Sequence, residues 1–180
     1  MDRHEPGLLR LARCLIPEGE NAATLVEQAW LQLLGELGKF DGTAPLKAWL
    51  HGRLLHVIRV RYPEVAHSLE EGAAADCGPA VDSERFSPPG DRWHGHWRSP
   101  PKAWSASQLR RLPDAIEVNL RALPLVQRAV ATLHDSEGMA ISEISKLLGI
   151  DEAKCRQLLH VARSQLWAAS ERYLAGGEGA

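Results

Sequence analysis

Residues 141–163 read ISEISKLLGIDEAKCRQLLHVAR, and this stretch has the pattern of two short helices that meet at a tight turn. Ser145 is small where the two helices would cross most closely, and Gly149 can adopt the left-handed conformation that ends a helix. Asp151 is placed to accept a backbone N–H from the first turn of the second helix. The spacing therefore predicts a helix-turn-helix. The apolar positions that would close its small core are Ile144, Leu148, Ile150, Cys155 and Leu158.

The second of these helices has a polar and basic outward face. Its apolar positions recur at helical spacing, which leaves another set of side chains on the outside. These are Lys154, Arg156, Gln157, His160 and Arg163. Side chains of these types can reach phosphates and base edges, so we predict that this face binds DNA. The plainer interpretation is a solvated helix surface, since Asp151 and Glu152 at the helix start would repel phosphate.

The charge balance of the chain leaves only local basic patches. The 180 residues include 21 Lys and Arg against 23 Asp and Glu, which gives a formal net charge of −2. Because the whole molecule provides no positive field, any affinity for nucleic acid must come from such patches. Two runs without acids are present. One contains Arg53, Arg59 and Arg61, and the other contains Lys154, Arg156 and Arg163.

Cysteine usage and hydropathy indicate a cytoplasmic protein. Cys14, Cys77 and Cys155 are widely spaced, odd in number and form no CxxC pair, which favours reduced thiols. No apolar run reaches the length that spans a bilayer. The N-terminal MDRHEPGLL also lacks the basic and then apolar pattern of an export signal. We therefore expect a cytoplasmic location without membrane insertion.

Helical periodicity divides the chain into three parts. Amphipathic patterns over residues 6–16, 22–37 and 45–61 predict three helices that share one core, and these form an N-terminal helical domain of residues 1–62. Pro63 is expected to end this domain. Residues 63–107 are rich in Gly, Pro, Ser and acids, which predicts a linker.

The remaining pattern completes the predicted fold class. Trp93, Trp97 and Trp104 lie among prolines and basic residues of the linker, so we expect this segment to dock on a partner or on the two domains. Helical patterns resume in residues 108–180, the C-terminal domain that contains the helix-turn-helix. The prediction is an all-α protein with two small helical domains joined by a linker that contains Pro and Trp.

Four further motifs accompany the helix-turn-helix. They are TLVEQAWLQLL at 24–34, KFDGTAPLKAWL at 39–50, RWHGHWRSPPKAW at 92–104 and ALPLVQRAV at 122–130. In this order they resemble bacterial RNA polymerase sigma factors of the extracytoplasmic-function group. The first is similar to the second-region helix that grips the polymerase clamp, and the second to the turn and helix start that follow it. The third resembles the linker of many such proteins, and the fourth leads into the region that reads the upstream promoter element.

This resemblance implies a non-enzymatic subunit that confers promoter recognition on RNA polymerase for transcription initiation. Its helix-turn-helix would read promoter DNA through the outward face described above. The residues that would contact core RNA polymerase are Leu25, Glu27, Gln28 and Trp30. The residues that would contact promoter DNA near the strand-opening face are Arg53, His56, Arg59 and Arg61. An anti-sigma protein is a further partner that the resemblance implies.

Two alternatives compete with this interpretation. A sigma-derived regulator would bind DNA or a partner protein without starting transcription, which fits His56 and Val60 where the family usually has Asn and Asp. A metal-binding enzyme or sensor would use alternate histidines in the linker. Its ligands would be His94 and His96 with Cys77 or His67. No helix-borne His pair, nucleophile elbow or Gly-rich phosphate loop completes a catalytic site, so we predict no catalytic residue, no metal and no cofactor.

Overall fold

The computed structural model describes residues 3–36, 38, 40–43, 45–74 and 105–175. Within these ranges the regular structure consists of eight α-helices and one π-helical turn, without a strand. The helices are α1 (Glu5–Leu15), α2 (Ala22–Glu36), α3 (Leu46–Arg61), α4 (Pro63–Ala74), α5 (Ala106–Ala122), α6 (Leu125–Ala131), α7 (Ile141–Leu148) and α8 (Glu152–Ala175). The π-helical turn, Thr132–Ser136, follows α6 directly. The prediction of an all-α protein is confirmed.

The first three helices begin at residues that favour a helix N-terminus. Pro6 lies in the first turn of α1, where its missing N–H is no loss. The side chain of Asn21 caps α2, since its Oδ1 accepts the Ala23 N–H at 2.9 Å. Pro45 immediately precedes α3. The three predicted helices are therefore confirmed to within about one residue at each end.

Helix α4 lies at the start of the segment, residues 63–107, that the sequence predicts to be a linker. Pro63 is the first residue of α4, and the carbonyl of Tyr62 accepts the N–H groups of Val65 and Ala66 at 3.0 and 3.2 Å. Val65 and Leu69 are one helical turn apart and both are buried. Pro63, which was expected to end the N-terminal domain, thus begins a helix, because the first turn needs no N–H from it. The predicted tryptophan-rich part of the linker lies outside the described residues.

One compact unit comprises residues 1–75 and 124–159. In this unit α1 packs against α2 and α3, and α3 packs against α4. The later segment closes the same core, since α6 packs against α1 and α4 while α7 packs against α3. Fully buried side chains come from both segments: Leu8, Leu11, Leu33, Leu54, Ile58, Leu133 and Ile144. The sequence placed these two segments in separate domains, and the boundaries after residues 62 and 107 stay a prediction.

A second compact unit comprises residues 76–123 and 160–180. Its helix α5 starts with a capping box, in which the Gln108 N–H donates to Ser105 Oγ at 3.2 Å and the Ser105 N–H donates to Gln108 Oε1 at 2.9 Å. Further along this unit, the guanidinium of Arg111 lies 5.3 Å from the ring centre of Tyr173. Ala115 and Ser170 are buried. The contact between Arg111 and Tyr173 connects α5 with the C-terminal part of α8.

Candidate nucleic-acid interface

The turn between α7 and α8 has the geometry that the sequence predicts. Gly149 ends α7 with φ of 73°, and its N–H donates to the Ser145 carbonyl at 2.9 Å. The Ser145 hydroxyl then donates to the Ile150 carbonyl at 2.6 Å, which only a small polar residue at this crossing could do. Asp151 caps α8, since its Oδ1 accepts the Lys154 N–H at 2.7 Å. The helix-turn-helix is confirmed.

The apolar positions of this motif are buried as predicted, apart from one that is half-buried. Ile144, Leu148, Cys155 and Leu158 are buried, and Ile150 is partly exposed. Burial raises the pKa of the Cys155 thiol, so the side chain stays protonated and packs as a small apolar group. The motif therefore has the rigid support that a recognition helix requires.

The residues predicted to bind DNA on α8 are accessible. Arg156 and Gln157 are exposed, and Lys154 is half-exposed. His160 and Arg163, further along the same helix, are also exposed. Arg156 is engaged within its own helix, where its Nη2 lies 2.6 Å from Glu152 Oε2. Such an exposed pair contributes only about 0.3–0.5 kcal/mol, so it does not prevent Arg156 from moving to a phosphate or base.

The polar residues predicted on α3 have more varied surroundings. Arg53 forms an ion pair with Glu36 at 2.5 Å and lies 5.8 Å from the ring centre of Trp49. His56 is exposed. Arg61 is exposed and donates to the Tyr62 hydroxyl at 3.2 Å.

Arg59, the remaining polar residue predicted on α3, contacts α7. It is half-buried, and its Nη2 donates to the Leu148 carbonyl at 3.4 Å. This carbonyl is at the C-terminus of α7, where the helix dipole favours a positive charge. Arg53 and Arg59 therefore contact other helices, whereas His56 and Arg61 are exposed.

One residue predicted to contact polymerase is in the core. Leu25 is only 2% exposed, so it stabilises the packing of α2 and cannot reach a partner. That assignment was wrong because the stripe used to predict α2 already placed Leu25 on its apolar face. Glu27 is exposed, and Gln28 and Trp30 are half-buried. Gln28 also lines a cavity of about 90 Å³ together with Arg61 and Tyr62.

Sequence reasoning missed two apolar side chains on the outside of α2. Leu31 is 69% exposed and Leu34 is 55% exposed. They are three residues apart, so they lie on adjacent turns of one face. Their spacing relative to the buried Ala29 and Leu33 could have shown that they belong to a second, outward apolar face.

Most of the side chains named in the metal-site alternative lie outside the described residues. His94, His96 and Cys77 lie outside the described residues, and His67 is exposed on α4 at 3.1 Å from Glu71. Among the described residues, no group of three or more His, Cys, Asp or Glu side chains could hold a metal ion. In the same ranges, no helix has both the length and the apolar character needed to cross a membrane.

Several known proteins are similar to this chain. A family profile described as sigma-70, region 4 matches residues 114–166, which include the whole helix-turn-helix. The chain is also 25% identical over 164 residues to the ECF RNA polymerase sigma factor SigM of two strains of Mycobacterium tuberculosis. This match covers 91% of the chain and 71% of the relative.

A solved structure shows that the fold is shared as well. It is the sigma factor RpoE in complex with the anti-sigma factor NepR from Bartonella quintana, with a TM-score of 0.59 and 16% identity. The alignment covers 92% of this chain and 91% of that one. The helix-turn-helix lies within the region-4 match, and the curated relatives that match nearly the whole chain are extracytoplasmic-function sigma factors. Together the comparisons support an RNA polymerase sigma factor of that group.

Proposed function

We propose that this sigma factor reads the upstream element of its promoter through α8 and holds core RNA polymerase through the outward face of α2. The observation that carries the first part is the capped and exposed start of α8 within the region-4 match. The side chains proposed to contact DNA there are Lys154, Arg156, Gln157, His160 and Arg163. As a sigma factor it is a regulatory subunit, and we propose no catalytic residue, metal or cofactor for it.

The chemistry of this face suits both kinds of DNA contact. An Arg side chain can form two hydrogen bonds to a guanine edge, and such a contact discriminates against other bases by about 1–3 kcal/mol. Gln157 can read adenine in the same way. Lys154 and Arg163 are suited to phosphates, which position the helix without reading sequence. Base contacts and phosphate contacts together would allow a protein of negative net charge to select its promoter.

The proposed polymerase contact uses exposed side chains of α2. Leu31 and Leu34 supply apolar area that the described part of the chain leaves exposed, and Glu27 and Gln28 lie one turn earlier on the helix. Apolar side chains surrounded by polar ones are typical of protein interfaces. Trp30 is half-buried and stays in the proposed contact, whereas Leu25 supports α2 from inside.

We assign the strand-opening contact to α3. His56 and Arg61 are exposed there and can contact single-stranded DNA directly. Arg53 and Arg59 can make the same contact only after they release Glu36 and the Leu148 carbonyl, respectively. These contacts of Arg53 and Arg59 support a second candidate function. It is a sigma-derived regulator that binds DNA but no longer initiates transcription.

The functional modules we propose are residues 1–62, a connecting segment at 63–107 that begins with α4, and residues 108–180. We also propose that the protein works in the cytoplasm, where its DNA and polymerase are found. An anti-sigma protein is a further proposed partner. The Bartonella relative, solved with the anti-sigma factor NepR, supports that proposal.

Reconstitution with core RNA polymerase tests the proposed function. Purified protein should co-elute with core polymerase and support transcription from a subset of fragments in a genomic DNA library. The transcribed fragments should share an upstream element at a fixed distance from the start site, and Arg156→Ala should reduce their transcription. If the protein binds DNA fragments of the library but no transcript is made, it is instead the sigma-derived regulator.

A further inference from the structure

A short series of polar contacts surrounds Tyr62, the residue between α3 and α4. Tyr62 is buried, and its hydroxyl donates to Glu20 Oε2 at 2.8 Å. The same hydroxyl accepts a hydrogen bond from Arg61 Nε at 3.2 Å. Glu20 lies in the loop between α1 and α2, and Arg61 is the last residue of α3. The Tyr62 hydroxyl therefore connects a loop carboxylate with the guanidinium at the end of α3.

The backbone of Tyr62 is held on both sides. Its N–H donates to the Ile58 carbonyl at 2.8 Å and so completes the last turn of α3. Its carbonyl accepts the N–H groups of Val65 and Ala66 in the first turn of α4. Each bond satisfies a backbone group that a helix end would otherwise leave without a partner. Because its backbone is fixed and its ring is buried, Tyr62 can hold a neighbouring side chain in one position.

Arg61 combines an anchored part with an accessible one. Its Nε is bound to the Tyr62 hydroxyl, and its guanidinium carbon lies 5.7 Å from the centre of the Tyr62 ring. The residue as a whole is exposed. A guanidinium that donates through Nε keeps its other N–H donors on the Nη groups, in a planar fork that matches phosphate oxygens. These donors can bind a phosphate while Tyr62 holds the guanidinium.

Arg61 lies at a small polar cavity between α2 and α3, which we call the Arg61 cavity. Its volume is about 90 Å³. The residues that line it are Glu20, Asn21, Thr24, Leu25, Gln28, Arg61 and Tyr62. The amides of Asn21 and Gln28 and the hydroxyl of Thr24 are groups that can donate hydrogen bonds to an oxygen. The volume corresponds to about three water molecules, which suits a phosphate group better than a nucleobase.

Glu20 brings a negative charge to this cavity, and that charge alone would repel phosphate. The residue is exposed, so solvent and salt screen its field. Arg61 supplies a compensating positive charge at the same cavity. The contribution of Glu20 is therefore to accept the hydrogen bond of the Tyr62 hydroxyl, a role that an uncharged amide oxygen could also fill.

The cavity lies between the two surfaces that the proposed function uses. Thr24 and Gln28 belong to α2, the helix proposed to hold core polymerase, and Arg61 ends α3, the helix assigned to strand contact. A DNA strand that follows α3 reaches the cavity at the C-terminal end of that helix. Its backbone would present a phosphate to the Nη groups of Arg61.

We propose that the Arg61 cavity binds one backbone phosphate of the promoter strand, with Arg61 as the contacting cation and Tyr62 as the residue that positions it. The proposal rests on the assignment of α3 to strand contact made under the proposed function. Arg61 touches the DNA, whereas Tyr62 and Glu20 act through Arg61. Because a guanidinium that is already held loses less rotamer freedom on binding, the same contact gives a higher affinity.

Forked promoter DNA bound by the complex with core polymerase tests the proposal. The probe is a transcribed library fragment that is left single-stranded next to the start site, in each strand in turn. A methylphosphonate placed at one position at a time removes the charge of a single phosphate. At one position it should weaken binding by the natural protein about tenfold. Arg61→Ala should bind the unmodified probe with a similar loss and show no further loss with that methylphosphonate.

The positioning role is tested by variants that leave Arg61 in place. Tyr62→Phe removes the hydroxyl and keeps the ring, so it should weaken binding of the unmodified probe about two- to tenfold and reduce the methylphosphonate effect at the same position. Glu20→Ala should behave like Tyr62→Phe. Glu20→Gln keeps an oxygen that can accept the Tyr62 hydroxyl, so it should bind at least as well as the natural protein.

A second tyrosine beside an arginine provides the matched control. Tyr173 on α8 lies near the guanidinium of Arg111, and Tyr173→Phe should leave both the affinity for the probe and the methylphosphonate effect unchanged. All of these variants should keep the helix content of the natural protein in circular dichroism and its affinity for core polymerase. A purely structural role of Tyr62 would not change the response to a charge at one phosphate.

The outcomes separate this proposal from the proposed function. A probe without any sensitive phosphate would overturn the proposal and leave the sigma function standing. The same holds if Arg61→Ala weakens the binding of core polymerase instead, since the cavity would then accept an acidic side chain of the polymerase. A methylphosphonate effect that is unchanged in Tyr62→Phe would overturn the positioning role. Absence of any complex with core polymerase would overturn the sigma function and this proposal with it.

Discussion

Arg10 and Glu137 are 127 positions apart in the chain, and Arg10 Nε lies 2.7 Å from Glu137 Oε1. The carboxylate is buried, whereas half of the Arg10 side chain is exposed. Solvent therefore screens the cation but not the anion, and the pair is intermediate between a surface salt bridge and a buried one. Its main effect is to prevent Glu137 from being buried without a counter-charge.

Replacement of Glu137 by Gln should lower the stability of the first unit moderately. Gln has the same size, but it leaves Arg10 and Lys47 without their carboxylate. Because both cations are partly exposed and can recover water, we expect a loss of about 1–3 kcal/mol and not the larger loss typical of an unpaired buried charge. Urea unfolding followed by circular dichroism measures this. A loss below about 0.5 kcal/mol would show that the ion pairs of Glu137 with Arg10 and Lys47 contribute nothing net to stability.

The stability of this unit should also fall as the pH is lowered from 7. Burial lowers the pKa of His51 below its ordinary value of 6.5, against the opposing effects of the Lys47 carbonyl and Glu137. The nearby charges of Lys47 and His4 add to the lowering. Below pH 6.5 the unfolded chain therefore binds a proton that the folded protein does not, and the free energy of unfolding decreases.

A second loss should follow at lower pH. Burial alone would raise the pKa of Glu137, but hydrogen bonds from Arg10 and Lys47 lower it below its ordinary value of 4.5. The stabilising charge is complete above pH 4.5 and disappears as the pH falls through the folded-state pKa. Urea unfolding between pH 4 and 7 should show the loss of stability caused by His51 in the natural protein and not in His51→Asn. An unchanged pH profile in that variant would contradict the assignment to His51.

The sequence predicted most of the local structure because local chemistry determines it. Gly149, Ser145 and Asp151 each satisfy a steric or capping requirement of the turn within a few residues, and the helix-turn-helix was confirmed from them. Helix α4 was missed because proline can end one helix and begin the next, and only the burial of Val65 and Leu69 distinguishes the two cases.

Long-range contacts were beyond what a sequence pattern can show. Glu137 looks like an ordinary loop acid, and only the structure places it against Arg10 and Lys47. Gly52 likewise has no local role, since its small size is needed for contact with Leu147. The same limit explains Leu31 and Leu34, whose exposure depends on which face of α2 the other helices cover.

Replacement of Arg156 by Ala should weaken binding to the promoter duplex without a change in fold. Loss of a two-bond base contact should cost about 1–3 kcal/mol and reduce discrimination at one base pair. Loss of a phosphate contact should instead weaken all sequences equally and lower the salt slope by about one. Fluorescence anisotropy over a salt series distinguishes the two. Arg13→Ala, which removes an exposed Arg on α1, is the matched control.

Glu152 should oppose this contact through its ion pair with Arg156. Glu152→Gln removes the 2.6 Å pair together with a negative charge at the start of α8. Since exposed pairs of this spacing contribute a few tenths of a kcal/mol, DNA affinity should rise about twofold. The gain should disappear in the Arg156→Ala background if the two residues are coupled. Equal gains in both backgrounds would mean that Glu152 acts only by repelling phosphate.

Two leucines of α2 should have different roles. Leu31 should affect the binding of core polymerase, and Leu25 should affect the stability of the protein. Leu31→Asp places a charge on a side chain that is 69% exposed, so we expect unchanged urea unfolding and a loss of polymerase affinity of at least about 2 kcal/mol, the usual loss at an apolar interface anchor. Leu25→Ala should do the opposite, with a loss of about 2–5 kcal/mol in stability, because Leu25 is only 2% exposed.

Val118→Asp, at an exposed position on α5, is the control for an added surface charge. Surface plasmon resonance with immobilised core polymerase measures the affinities. If Leu31→Asp and Val118→Asp bind equally well, the polymerase contact must be assigned to another face, and Glu27 and Gln28 lose their proposed role with it.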